Sequence, residues 1–352
     1  MHADVVIVGA GLAGLAAAER LHAAGRAVVV LDKARRPGGR CATRRIAPDP
    51  AAPWLDTGAQ YFTARDAIFL RRLEPLIAAE LVVPWNARVG TVRRPGGRAA
   101  STTGSPREGS LAEHKTRGLP PSMPDVIHPA PMNSTRWVVR GGMNGLARVL
   151  AEPLAAGVQM QMDARVARIT PAAGGWDVRS VDGRQWQARQ VLIAVPGPQA
   201  QDLLGEAFPS ALNPEMQDCL CLLVRAVTQA PWDALFGDGK VLAWAAAAPS
   251  KPGQPAGAEH LWTLHGAPDQ GHAADVEDRI CAVFAQIMQA PRVDIVDRHY
   301  WRFAAPLDTH SAPGAYWDAS SGLGLAGDWL NGGRVEGAWM SGWQMAERVL
   351  TG

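Results

Sequence analysis

The chain has 352 residues, 47% of them hydrophobic, with a formal net charge of +2. That is apolar mass enough for one large domain or two intimate ones, and a balance that advertises neither a nucleic-acid face nor an acidic one. A small molecule is therefore the expected partner; nothing specifies an oligomeric state. Four cysteines (Cys41, Cys219, Cys221, Cys281) at irregular spacing read as buried thiols, not metal ligands or a disulfide framework. No signal peptide precedes the first strand, and the N-terminal apolar run is broken by glycines. No membrane association is expected, and the reducing cytoplasm is the expected compartment. Thirteen tryptophans are many, and point to an aromatic-lined cavity as well as to core.

Taken in order, the chain opens on Val5-Val-Ile-Val-Gly-Ala-Gly-Leu-Ala-Gly14, a helix-like stretch closed by Gly25, and a second apolar run ending on Asp32. This is strand, glycine turn, helix, strand, then an acid, the order of a dinucleotide site. Gly9 makes the turn, Gly11 lets backbone approach a pyrophosphate, and Gly14 lets helix and strand pack closely. The helix start around Ala13 offers free N–H groups, and Asp32 suits a ribose hydroxyl. The alternative is a glycine-tolerant turn of a ligand-free domain. Lys33 follows, and Pro37-Gly-Gly39 then turns the chain so that Arg40, with its several fixed donors, reaches towards the pyrophosphate. By itself that segment would read as a solvated basic loop.

Residues 69–81 read as an amphipathic helix. Residues 86–131, rich in Pro, Gly, Ser and Thr, read as a partly mobile surface insertion, with a substrate lid as the alternative. A helix is expected from Met143 to about Leu154. Strands over 158–162, 164–170, 175–180 and 185–195, with an Asp182-Gly183 turn, form a β-meander. Helices are expected near 200–205 and 273–290, with strands between. A strand at 300–306 is expected to re-enter the first domain.

Three stretches carry a family resemblance: the glycine turn with its PGGR loop, Leu55-Asp-Thr-Gly-Ala-Gln-Tyr-Phe-Thr-Ala-Arg-Asp66, and Gly327-Asp-Trp through Val335-Glu-Gly-Ala338. Together they resemble the renalase branch of the flavin amine oxidase superfamily over nearly the whole chain. The resemblance implies a mixed α/β fold: a Rossmann-type FAD-binding domain with a β-meander (1–85, 137–200, 296–352), and a substrate domain on a mixed or antiparallel sheet with helices (86–136, 201–295). It implies FAD held non-covalently, there being no cysteine near the C-terminus to attach it. Ala59 and Gln60 would contact the flavin, and Tyr61 and Phe62 would sit at the pocket wall. Val166 would hold the adenine end by its main chain, and Gly327 and Asp328 would lie near the ribityl and phosphate oxygens. A helix starting at Val335, Glu336, Gly337 and Ala338 would point its dipole at the pyrimidine edge.

Lys251-Pro-Gly-Gln254 and Trp262-Thr-Leu-His265 also resemble this branch, with departures at Gln254 and at Asp269-Gln270. His265 alone reads more simply as a packed core residue; with Trp301 it is a pocket candidate. True amine oxidases carry a cage aromatic where Arg334 stands, and none of the four lysines lies in a segment matching the lysine such enzymes keep near the flavin. The resemblance thus implies oxidation of 2- or 6-dihydronicotinamide isomers of NAD(P)H, with O2 giving H2O2. A flavin amine oxidase, dehydrogenase or desaturase is the alternative, and a non-catalytic FAD-binding protein the minor one.

Overall fold

Val5, Val6 and Ile7 are wholly buried, as a strand covered on both faces requires. The computed structural model describes residues 2–93, 126–130, 134–213, 215–308 and 313–352. In it this run is the centre of a parallel sheet: β1 (His2–Val8) leads into α1 (Leu12–Ala23), which returns to β2 (Val28–Leu31). Strand Gln159–Gln161 pairs parallel outside β2. On the other side, Gln185–Ile193 pairs parallel with β1 and Leu323–Leu325 beyond it. Strand order therefore reverses beside β1, the switch point where open α/β sheets bind ligands. The antiparallel pair Val166–Ala172 and Gly175–Ser180 continues from Gln185–Ile193 as the meander. The expected strand at 158–162 is thus a parallel Rossmann strand, not a meander strand.

The second sheet runs Asp294–Pro306, Met216–Arg225, Leu261–Gly266, Leu242–Ala247, Ala234–Phe236, Val89–Arg93 and Val126–Pro129. Two expectations change here. Asp294–Pro306 does not rejoin the first sheet; it pairs antiparallel with Met216–Arg225 along most of its length. The ends of the expected 86–131 insertion are strands pairing antiparallel at the sheet edge, while 94–125 and 131 lie outside the described residues. One face of this sheet packs on helix Ala274–Met288, through Leu222, Leu264, Ala245, Ile280 and Phe284. Register places Cys221, His265, Trp244, Phe236 and Thr91 side by side on the other face, where Trp244 meets the first domain's core.

Helix Ala67–Ala78 starts two residues before the periodicity predicts, because Asp66 caps it, its carboxylate accepting from the Ile68 and Phe69 amides. The helix after Met143 ends at Ala151 and continues as a 3-10 turn, Glu152–Ala156. The C-terminal helix, Val335–Thr351, crosses α1 closely enough that a Cβ on Gly342 would lie 1.9 Å from the Ala13 carbonyl oxygen. No helix among the described residues is long and apolar enough to cross a membrane.

Candidate functional site

The cradle begins at the end of β1. Gly9 has φ +111°, and a Cβ there would strike the Ala194 carbonyl. A Cβ on Gly14 would lie 1.8 Å from the Gly9 carbonyl oxygen, so only glycine lets α1 start this close to its strand. Gly11 differs: a Cβ there meets nothing within 4 Å. It faces open space at the N-terminus of α1, which has no side-chain cap. Gly39, at φ +53°, packs beside it, its would-be Cβ 3.4 Å from Gly11 Cα. The two loops thus meet at an uncapped helix start beside open space, a geometry suited to phosphate.

Asp32 follows directly on β2, with one carboxylate oxygen accepting from the Ala10 amide (2.6 Å) and the other from the Ala34 amide (2.7 Å). Each oxygen keeps a lone pair for a hydroxyl. The Asp32 carbonyl accepts from the Ala164 amide, which brings the 164–166 stretch and Val166 to the same end of the sheet. Lys33 is exposed. The expectation that Arg40 reaches for the pyrophosphate is modified: its guanidinium is paired with the buried Asp328 and donates to the Ala304 carbonyl at 3.2 Å. Gly327, before Asp328, donates its amide to Ser341.

The turn 56–60 packs on this loop. The Ala59 amide donates to the Arg40 carbonyl, and a Cβ on Gly58 would lie 1.9 Å from the same oxygen. Gln60 does not offer its side chain to a ligand. Its amide nitrogen donates to the carbonyls of Asp56 (2.5 Å) and Gly58 (3.0 Å), and its oxygen accepts from Lys251 Nζ at 3.0 Å. Lys251 Nζ also pairs with Asp56 at 2.7 Å, both side chains being buried. Asp56 completes its set with the Thr43 hydroxyl (2.6 Å) and the Met143 amide (2.8 Å). Lys251 is the residue that sequence reasoning missed. Its one signal was position in a KPG turn, and its partner lies 195 residues away.

His265 and Trp301, both pocket candidates, spend their N–H groups on one atom. The Thr57 carbonyl accepts from Trp301 Nε1 (2.8 Å) and His265 Nε2 (3.1 Å). A carbonyl only accepts, so His265 carries its proton on Nε2. Burial, with the Lys251 charge adding, holds its pKa down at about 4, so it is neutral at pH 7. These two residues grip the turn. Of the other pocket candidates, Phe62 is buried core against Phe69, whereas Tyr61 is half-buried and meets Trp85 (5.8 Å between centroids) and Trp244 (5.5 Å). The Arg136 guanidinium stands 5.6 Å over Tyr61, and Lys251 Nζ 5.9 Å from Trp85.

At the far end, Arg334 is the N-cap residue of the C-terminal helix, exposed, with no side-chain capping bond. The amides of Val335, Glu336 and Gly337 are left for another acceptor. A Cβ on Gly337 would strike the Asn331 carbonyl, and the Ala338 amide closes on Arg334. Glu336 turns its carboxylate away, onto the amides of Arg65 and Asp66. All four cysteines are free. Burial, with the Asp56 charge adding, pushes the Cys41 thiol up to about 12, and burial does the same to Cys219.

A family model described as flavin containing amine oxidoreductase matches residues 121–350, and one for an NAD(P)-binding Rossmann-like domain matches 7–73. The chain belongs to the flavin-containing amine oxidoreductase family. Its cofactor is FAD, held non-covalently. The residues present fit it: an open cradle at Gly11, two uncapped helix starts, and an acid at the end of β2.

Curated relatives match this flavoprotein over short stretches. A putative flavin-containing monoamine oxidase AofH of Mycobacterium tuberculosis (strain H37Rv) is 42% identical over 82 residues, 23% of this chain and 16% of that one. A hydroxyneurosporene desaturase of Rhodobacter capsulatus is 45% identical over 69 residues, 19% of this chain and 13% of that one. The chain thus covers less than a fifth of either. Among solved structures, a putative protoporphyrinogen oxidase from Exiguobacterium sp. 255-15 superposes with TM-score 0.68 at 15% identity, covering 98% of both chains. Putrescine oxidase bound to putrescine gives 0.65 at 14%, covering 100% of both. At such identities the likeness is one of fold.

Proposed function

We propose that this flavoprotein oxidises 2- or 6-dihydronicotinamide isomers of NAD(P)H to NAD(P)+, with O2 as electron acceptor and H2O2 as product. FAD, when bound, supplies the hydride acceptor. The single observation that carries the reading is Arg334: a cation at the start of the C-terminal helix, exposed, and ion-paired to no acid among the described residues. A guanidinium there repels a protonated amine and suits a carboxamide or phosphate.

The surroundings support the same sign. Asp56, buried at the start of the turn, is already neutralised by Lys251, so it offers no free charge to an amine. The rings of Tyr61, Trp85 and Trp244 favour amine oxidation as the competing reading, since such rings attract cations. Arg136 and Lys251 already stand against two of them, and an incoming ammonium would meet like charge. A dihydropyridine is electron-rich and needs no protein base, and His265 has no proton-accepting role at the atom it gives to Thr57.

On this reading the amides after Gly11 hold the pyrophosphate, Asp32 a ribose hydroxyl, and the amides from Val335 to Ala338 the pyrimidine edge. The substrate is a small molecule; no nucleic-acid or membrane partner is proposed. Arg334→Ala is expected to slow anaerobic flavin reduction by dihydronicotinamide isomers at least tenfold, equivalent to about 1.4 kcal/mol of transition-state stabilisation, with FAD still bound. Stopped-flow spectra of both proteins measure this. Equal rates, or a wild type reduced by simple amines and not by the isomers, would overturn the proposal.

A further inference from the structure

Four side chains of the second domain donate hydrogen bonds to the turn 56–60 of the first. Lys251 Nζ reaches the Asp56 carboxylate (2.7 Å) and the Gln60 side-chain oxygen (3.0 Å); the Thr263 hydroxyl reaches the Asp56 carbonyl (3.2 Å); His265 and Trp301 converge on the Thr57 carbonyl. Three of the four project from strands of the second sheet, and Lys251 follows the 3-10 turn Ala248–Ser250. The turn in its own domain holds the Arg40 carbonyl through the Ala59 amide and the close approach of Gly58. Arg40 belongs to the loop whose Gly39 packs beside the uncapped start of α1.

We infer that Lys251 is a positioning residue for FAD. It holds the turn 56–60 from the second domain through a buried ion pair, and so sets the loop that frames the cofactor cradle. The physical case rests on the cost of the pair. Burying an ammonium and a carboxylate gains little net stability over an apolar pair of the same shape, whereas removing one partner leaves an uncompensated charge. Its return lies in geometry. The ammonium has two fixed oxygen partners on the turn and the Trp85 ring at 5.9 Å, and the carboxylate is held at its other oxygen by Thr43 and Met143. Every oxygen of the Asp56 and Gln60 side chains therefore has an assigned donor, and a sliding turn would strand a buried charge. The inference needs FAD but not a particular substrate, so it stands or falls apart from the dihydronicotinamide reading.

The test uses the full-length protein, stripped of FAD and reloaded. Lys251→Met removes the charge and keeps the stem. Asp56→Asn combined with Lys251→Gln removes both charges and keeps neutral hydrogen-bonding groups, which protects the fold if the single variant is too unstable. For each, the FAD dissociation constant is measured by fluorescence titration, the bound flavin by visible circular dichroism, and the melting temperature without FAD. The expected result is FAD binding weakened at least tenfold, with an altered visible dichroism band, in every variant that folds. A lower melting temperature with FAD affinity within twofold of wild type and an unchanged band would reduce Lys251 to a structural tie and overturn the inference.

Discussion

His265 shows how one side chain changes meaning once its partner is known. As a lone histidine it could be core, acid or base; its Nε2 proton is given to the Thr57 carbonyl, and burial holds its pKa at about 4, below the ordinary value of 6.5. Between those values the unfolded chain binds a proton that the folded one refuses. The stability this group contributes is therefore complete above pH 6.5 and falls as pH drops through the window, at up to about 1.4 kcal/mol per pH unit. His299 is shifted down as well, by burial and then by the Arg44 charge, and adds the same sign. Comparing wild type with His265→Gln isolates the one residue. Urea midpoints from pH 7 to 4.5 are expected to fall less steeply in the variant, by about one proton's worth. Parallel curves would show that His265 titrates normally.

At the scale of elements, two glycines at the α1 crossing separate fold from cofactor. Gly342 brings the C-terminal helix onto α1, and an added Cβ would lie 1.9 Å from the backbone oxygen of Ala13. Backbone cannot yield as a side chain tip does, so Gly342→Ala must push the helices apart, at a cost of roughly 1–3 kcal/mol. Gly11→Ala meets no protein atom within 4 Å, and its backbone (φ −76°, ψ −178°) is one any residue adopts. It is expected to lose no more than about 1 kcal/mol of stability as a poorer N-cap, and to bind FAD at least tenfold more weakly, because its methyl group occupies the approach to the uncapped amides. Thermal melts of the apo-proteins beside FAD titrations separate the two. A Gly11→Ala protein that retains FAD normally would move the phosphates elsewhere.

For the molecule as a whole, FAD bound as proposed would join β1, α1, the 38–40 loop and the C-terminal helix, and it should stabilise by mass action. At a free concentration a hundred times its dissociation constant the gain is about 2.7 kcal/mol, a rise of several degrees in melting temperature for the acid-released, refolded apo-protein as FAD is added back. A melting temperature that ignores added FAD would contradict non-covalent binding at this cradle. The parts of this picture legible in the sequence are those governed by neighbours along the chain. The GAGLAG turn, Asp32 and the helices at 274–288 and 335–351 follow from backbone freedom and a 3.6-residue period. Partnerships across the chain were not legible, because a strand's pattern states which face is apolar and not which strand lies beside it. Hence the strand expected to re-enter the first domain at 300–306 pairs in the second sheet, and the pairings of Arg40 with Asp328 and of Gln60 with Lys251 appear only in the folded chain. Lys251 is the clearest case. Composition marks it as one of four lysines; only the docking of the two domains buries it against Asp56 and makes its charge matter. Local sequence determined that a dinucleotide cradle would form, and the tertiary structure decided what holds it in place, because desolvation acts on charges brought together by the fold and not by the order of residues.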